Sequence, residues 1–166
     1  MAYFPDLSSY GYGNAVQPGV VHVGWLDGIH DYPKGIVPRH LIAKMKLMAK
    51  APVELYRGLH ICELCEEPEE VRRDRYQMLA AQTAANAKNE NRPMRDFMSH
   101  LWEEWRKSRS SNGEIRIRNG DTVYAAPILI VHYIEEHGYL PPSEFLRALE
   151  AAAEPSAGAD CQETGR

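Results

Sequence analysis

Leu41, Ile42, Met45, Met48 and Ala49 recur at the spacing of one helix face, while Lys44, Lys46 and Lys50 fall on the others. Pro38 suits the first turn of that helix, where a missing N–H leaves nothing unbonded, and Pro52 stops it. A second helical run opens at Pro68 and carries a sparse apolar side of Val71, Met78 and Leu79 as far as Ala87. After a polar break, Met94, Phe97, Met98, Leu101, Trp102 and Trp105 form a single stripe at i, i+3, i+4, i+7, i+8 and i+11. Together these runs predict a helical hairpin, 66–111, inserted between strands. Two more helices follow, one from Pro127 through Glu136 and one after Pro141-Pro142 with Phe145, Leu146 and Leu149 inward. Gly138 is placed to cap the first of them in the left-handed conformation.

The strand patterns are shorter. Segment 20–25 is rich in β-branched residues, and 53–57 reads as a second strand leading into a cysteine-bearing turn. Glu114 to Arg118 alternates polar and apolar, then returns as 121–125 after Asn119-Gly120, a pair that predicts a hairpin with positive φ at both central positions. Segment 26–37, punctuated by Asp, Gly and Pro, is a loop. The first 19 residues, rich in Tyr, Gly, Pro and Ser, read as an ordered arm laid across the domain. From about Glu154 the chain is too polar to bury itself, so 154–166, with Cys161, is expected to be a disordered tail. The sum is one α+β domain, 1–153: a small antiparallel sheet with a zinc-knuckle-like turn, packed helices and the inserted hairpin.

Composition narrows the function classes. A chain of 166 residues can bury a real core without a metal. Its net charge of −4 leaves no basic surplus for counterion release, which argues against nucleic acid as a partner. No apolar stretch approaches the roughly 18 residues of a membrane span. The N-terminus has no charged region followed by an apolar run, so a cytoplasmic protein is expected. Three cysteines, two of them in a C-x-x-C pair, suit a reducing compartment better than a disulfide framework.

That pair carries the candidate chemistry. Cys62 and Cys65 stand in Leu-His-Ile-Cys-Glu-Leu-Cys, and in an extended strand His60 would share a face with Cys62. A turn bringing Cys65 round gives three donors of the kind Zn²⁺ prefers. A structural site needs a fourth, and the candidates are His132, His137, His30 or a carboxylate. Residues five apart stand about 140° apart around a helix, which sets His132 and His137 on different faces. His132, beside Ile128 and Leu129, is the choice, giving His60, Cys62, Cys65 and His132 as the ligand set. Against this stand inert buried cysteines and a redox dithiol, the latter lacking a clear helix N-terminus to lower its pKa. Trp102 and Trp105 are the candidate partner-binding residues, their alternative being packing against the preceding helix or the domain.

Several short stretches carry a resemblance. Tyr-Phe-Pro-Asp-Leu-Ser occupies 3–8, Val-Gly-Trp-Leu-Asp 23–27 with His30 nearby, and Arg-Gly-Leu-His-Ile-Cys-Glu-Leu-Cys 57–65. Asn-Gly-Glu-Ile-Arg stands at 112–116, Tyr-Ala-Ala-Pro-Ile-Leu-Ile-Val-His-Tyr at 124–133, and His-Gly-Tyr-Leu-Pro-Pro-Ser-Glu-Phe at 137–145. In these the chain resembles a family of small uncharacterised bacterial proteins, over most of residues 3–149. It departs from that pattern at 66–111, where a much shorter link is expected. The resemblance implies a bacterial cytoplasmic domain, with metal ligation suggested by the His and Cys residues inside the shared motifs, and it assigns no activity.

The leading expectation is a non-enzymatic, zinc-stabilised binding or accessory module with another protein as partner, an immunity or antitoxin-like role against a bacterial effector being one form. The alternatives are a small metal-dependent hydrolase with Glu114 as general base, and a nucleic-acid-associated zinc module. Patterns for zinc deaminases, zinc proteases, serine hydrolases and phosphate loops are absent from the sequence. A Glu at such a strand start is ordinarily an edge-strand surface residue.

Overall fold

The computed structural model describes residues 3–12, 15–55, 59–93, 96, 99–107 and 109–153. The expected tail and Cys161 lie outside them, as do Met94, Phe97 and Met98 of the aromatic stripe. The order of elements is β1 (Ser9–Tyr12), β2 (Ala15–His22), α1 (Arg39–Met48), β3 (Leu59–Ile61), α2 (Glu69–Ala87), α3 (His100–Lys107), β4 (Ser110–Asn112), β5 (Glu114–Asn119), β6 (Thr122–Pro127), α4 (Ile130–His137) and α5 (Ser143–Ala151). This is an α+β fold.

Four strands form the main sheet in the order β1-β2-β6-β5, and β3 pairs with β4 in a separate two-stranded ladder. The main sheet is mixed rather than antiparallel. β5 and β6 make the expected hairpin, but β2 runs parallel to β6, with Val20 opposite Val123 and His22 opposite Ala125. Parallel neighbours need a long crossover, and everything from the loop after β2 through β5 supplies it. The N-terminal segment is more than an arm: it contains β1 and the first half of β2, paired antiparallel. Its aromatic rings form a stack, with Phe4 4.0 Å and Tyr10 4.7 Å from the buried His22 ring.

Other boundaries shift for local reasons. The β5–β6 turn places Asn119 opposite Thr122, so its two central residues are Gly120 and Asp121, with positive φ at Gly120 (58°). A glycine at the first central position suits a type II′ turn, and Asn119 stays in the ladder. Pro127 ends β6 instead of starting α4, because a proline at a strand end gives up no ladder bond that the sheet needs. The expected strand at 53–57 reduces to a bridge between Val53 and Glu114, and 56–58 lie outside the described residues.

The core is built by α1, α4 and α5 against one face of the sheet. Leu41 and Met45 of α1, Ile130, Tyr133 and Ile134 of α4, and Phe145, Ala148 and Leu149 of α5 meet Ile115, Ile117, Tyr124 and Ala126. Burying each large apolar side chain contributes about 1.5–3 kcal/mol. Gly138 has φ 66° and closes α4 as expected, its N–H donating to the Tyr133 carbonyl. The helical segment leaves the core between β3 and β4, where Leu59, His60 and Ile61 pair with Asn112, Ser111 and Ser110.

Candidate metal centre

Cys62 follows directly after β3, and the chain turns there, so the strand alternation that would align His60 with Cys62 stops one residue short. His60 instead packs edge-on against the Trp25 ring at 5.3 Å. The turn 62–65 brings both sulfurs to α4, where His132 stands in the first turn and His137 is the last helical residue. Cys65 Sγ lies 3.2 Å from His132 Nε2 and 3.3 Å from His137 Nε2, and Cys62 Sγ lies 3.4 Å from His137 Nε2. The two Nε2 atoms are 3.3 Å apart. Donor atoms of Cys62, Cys65, His132 and His137 all lie within 4.8 Å of one another, so the cluster can hold a metal ion.

His137 therefore replaces His60 in the expected set, and His132 keeps its place. The 140° separation treats a residue as a direction from the helix axis. An imidazole Nε2 stands far from the backbone, and helical side chains lean toward the N-terminus. His137, at the end of α4, leans back toward the turn holding His132, and the rings meet at 5.1 Å between centroids and 74° between planes. A histidine immediately before a capping glycine was the sequence signal for it. His30 belongs to another arrangement: its Nδ1 lies 2.9 Å from Asp27 Oδ1, and Tyr3 stacks on its ring at 3.8 Å.

The electrostatics fit a ligand set. Burial pushes the Cys62 thiol up to about 12, opposed by the backbone N–H groups of Leu64 and Cys65, which point at its sulfur. Those N–H groups favour a thiolate once a cation offsets the burial. Burial also lowers the pKa of both His132 and His137, the former further lowered by His137, which keeps their nitrogens available as neutral donors.

Glu114 is fully buried rather than a surface residue. Tyr10 Oη donates to its two oxygens at 2.7 and 3.0 Å, and Arg116 Nε donates at 3.3 Å. Arg116 also reaches Glu54 at 3.3 Å, so one guanidinium serves two carboxylates. Trp102 and Trp105 are half-buried, and the guanidinium groups of Arg106 and Arg109 each lie 5.4 Å from one of their ring centres. Among the described residues of the hairpin, the large exposed apolar side chains are Tyr76, Leu79 and Leu101. No helix among the described residues is long and apolar enough to cross a membrane.

A family model described as a domain of unknown function (DUF7919) matches residues 2–150. Neither the curated proteins nor the solved structures compared with the chain give a match.

Proposed function

We propose, for a chain that belongs to the DUF7919 domain family, a non-enzymatic binding or accessory module held by a structural zinc ion on Cys62, Cys65, His132 and His137. The observation that carries this reading is the spacing of the four donors. Zinc–sulfur bonds of about 2.3 Å and zinc–nitrogen bonds of about 2.05 Å give a tetrahedron S···N edges of about 3.5 Å and an N···N edge of about 3.3 Å. The S···N distances of 3.2–3.4 Å and the N···N distance of 3.3 Å approach those edges. Two thiolates and two imidazoles also suit zinc by softness. When bound, the ion supplies the charge that holds both sulfurs as thiolates.

A ligand set filled by the protein favours a structural over a catalytic role, since catalytic zinc keeps an open position. A hydrolase with Glu114 as base needs that carboxylate free beside the metal, whereas Tyr10 and Arg116 engage it. A nucleic-acid role is disfavoured by the net charge of −4. The same charge suits a basic protein partner, as in an immunity or antitoxin-like role, with the hairpin bearing Trp102 and Trp105 as the contact element. Paired thiol ligands fit the reducing cytoplasm.

Elemental analysis of purified protein tests the reading. About one zinc per chain is expected, lost in Cys62→Ser/Cys65→Ser together with the ordered packing of the turn 62–65 and of the segment that it roots. Zinc lost with no structural change in either the core or the hairpin would favour a catalytic site, and no metal in protein purified without chelator overturns the proposal.

A further inference from the structure

The four clustered residues Cys62, Cys65, His132 and His137 stand where the helical hairpin joins the domain. The chain enters the hairpin through the turn 62–65 and returns through Arg109 and β4. Entry and exit are tied by the three pairs of the β3–β4 ladder and by the Cys62 N–H, which donates to the Arg109 carbonyl at 2.8 Å. Cys62 and Cys65 thus stand at the root of the hairpin, whereas His132 and His137 stand on α4, a helix anchored in the core by Ile130, Tyr133 and Ile134.

Among the described residues, the hairpin shares little of the domain's core: the main core cluster takes no member from 66–111. The buried apolar side chains of α2 are Val71 and Ala85. The hairpin is held internally by polar contacts. The Trp102 N–H donates to Asp74 at 3.3 Å, Arg106 reaches the buried Glu103 at 2.8 Å, and Arg75 donates to both Glu67 oxygens at 2.9 and 2.8 Å. α2 packs on α3, and α3 on β4. A short two-stranded ladder is marginal by itself in water.

We propose that the Cys62–Cys65–His132–His137 cluster is a metal-dependent anchor for the hairpin: occupancy decides whether 66–111 is fixed on the domain, not whether the domain folds. This rests on the zinc reading above. The core beneath α1, α4 and α5 is complete without the hairpin, so loss of the ion frees the root while the main sheet persists. Any partner that reads the hairpin in its docked orientation then binds the zinc-loaded chain alone.

Amide hydrogen exchange on the full chain, zinc-loaded and after chelation, tests this. Elemental analysis of the loaded sample comes first. Exchange is expected to rise by about tenfold or more in peptides from 59–65 and 99–112, and to stay within about twofold in 114–127 and 143–150. Cys65→Ser and His137→Ala, each analysed as the full chain, should reproduce the chelated pattern, and trypsin should then cut first at Arg72, Arg73 or Arg75. Should one variant fail to fold, the other and the chelated wild type still decide. An equal rise across core and hairpin, or none in either, overturns the anchor while leaving zinc binding intact. A chain that carries no zinc overturns both.

Discussion

The Nε2 atoms of His132 and His137 approach to 3.3 Å although the two residues stand five apart in one helix. The contact is possible because α4 ends at His137 and Gly138 turns the chain away, leaving the last imidazole room to lean back along the helix. Zinc content should therefore separate the histidines. His137→Ala and His132→Ala should each weaken zinc binding by more than the roughly 10–100-fold that loss of an outer-shell partner costs. His60→Ala should keep a full complement of zinc while losing about 1 kcal/mol from its edge contact with Trp25. Competition with a chromogenic chelator reads the first effect and urea denaturation the second. Loss of zinc in His60→Ala would return that residue to the ligand set.

The fully buried Glu114 and the partly exposed Arg116 make an ion pair shared with Tyr10, and its role is expected to be structural. Removing Glu114 takes the carboxylate acceptor from the buried Tyr10 hydroxyl but leaves Arg116 paired with Glu54. Glu114→Ala should therefore destabilise by about 1–3 kcal/mol, the cost of a buried donor deprived of its acceptor. The double variant with Arg116→Ala should cost less than the sum of the singles, with a coupling of at least about 1 kcal/mol. Denaturation of the four proteins in the cycle measures it. A Glu114→Ala protein as stable as wild type would mean that the carboxylate is free for other chemistry.

Helix α1, the inward face of α5, the Gly138 cap and the β5–β6 hairpin were legible because each rests on local periodicity or on one residue's backbone preference. That Cys62, Cys65 and His132 lie together is legible from donor chemistry and spacing. What local reasoning missed depends on distant partners. The parallel β2–β6 pairing joins residues about a hundred apart, and no period encodes which strand lies beside which. Strand alternation ends with β3, one residue before Cys62, so it does not carry His60 to the sulfurs. An angle around a helix axis says nothing of side-chain reach, which is what brings His137 to His132. Glu114 resembled a surface residue because its cover, Tyr10, comes from the N-terminal segment.

Asp6 provides a pH signature independent of the metal. Burial raises its pKa, only partly opposed by the Gly24 N–H and the Tyr139 hydroxyl that donate to it. A carboxyl that holds its proton more tightly when folded favours the folded state at low pH. That contribution is lost as pH rises through the folded pKa. Relative to wild type, Asp6→Asn should therefore gain stability as pH rises from the ordinary carboxylate range, levelling once Asp6 is fully ionised in the fold. Asp6→Ala, which leaves both donors without an acceptor, should lose about 1–3 kcal/mol at neutral pH. Urea denaturation of the three proteins from pH 4 to 7 checks the trend, and a difference that shrinks with rising pH would reverse the assignment.

Two glycines flank β5, and both have positive φ, but the space around them differs. At Gly120 (φ 58°) an added Cβ meets nothing within 4 Å, so Gly120→Ala carries only the left-handed backbone cost of about 1–2 kcal/mol. At Gly113 (φ 95°) the Cβ would lie 2.8 Å from the Val53 carbonyl oxygen, a backbone atom held by the Val53–Glu114 bridge, whose N–H···O bonds are 2.9 and 2.8 Å. That neighbour cannot rotate away as a side chain could. Gly113→Ala should thus cost at least about 1 kcal/mol more than Gly120→Ala, through loss of the bridge as well as strain. The Glu114 amide, which donates across that bridge, should exchange faster in Gly113→Ala and not in Gly120→Ala. Equal costs and equal exchange would show that the chain before β5 moves aside freely, and that Val53 does not fix the position at which Glu114 enters the sheet.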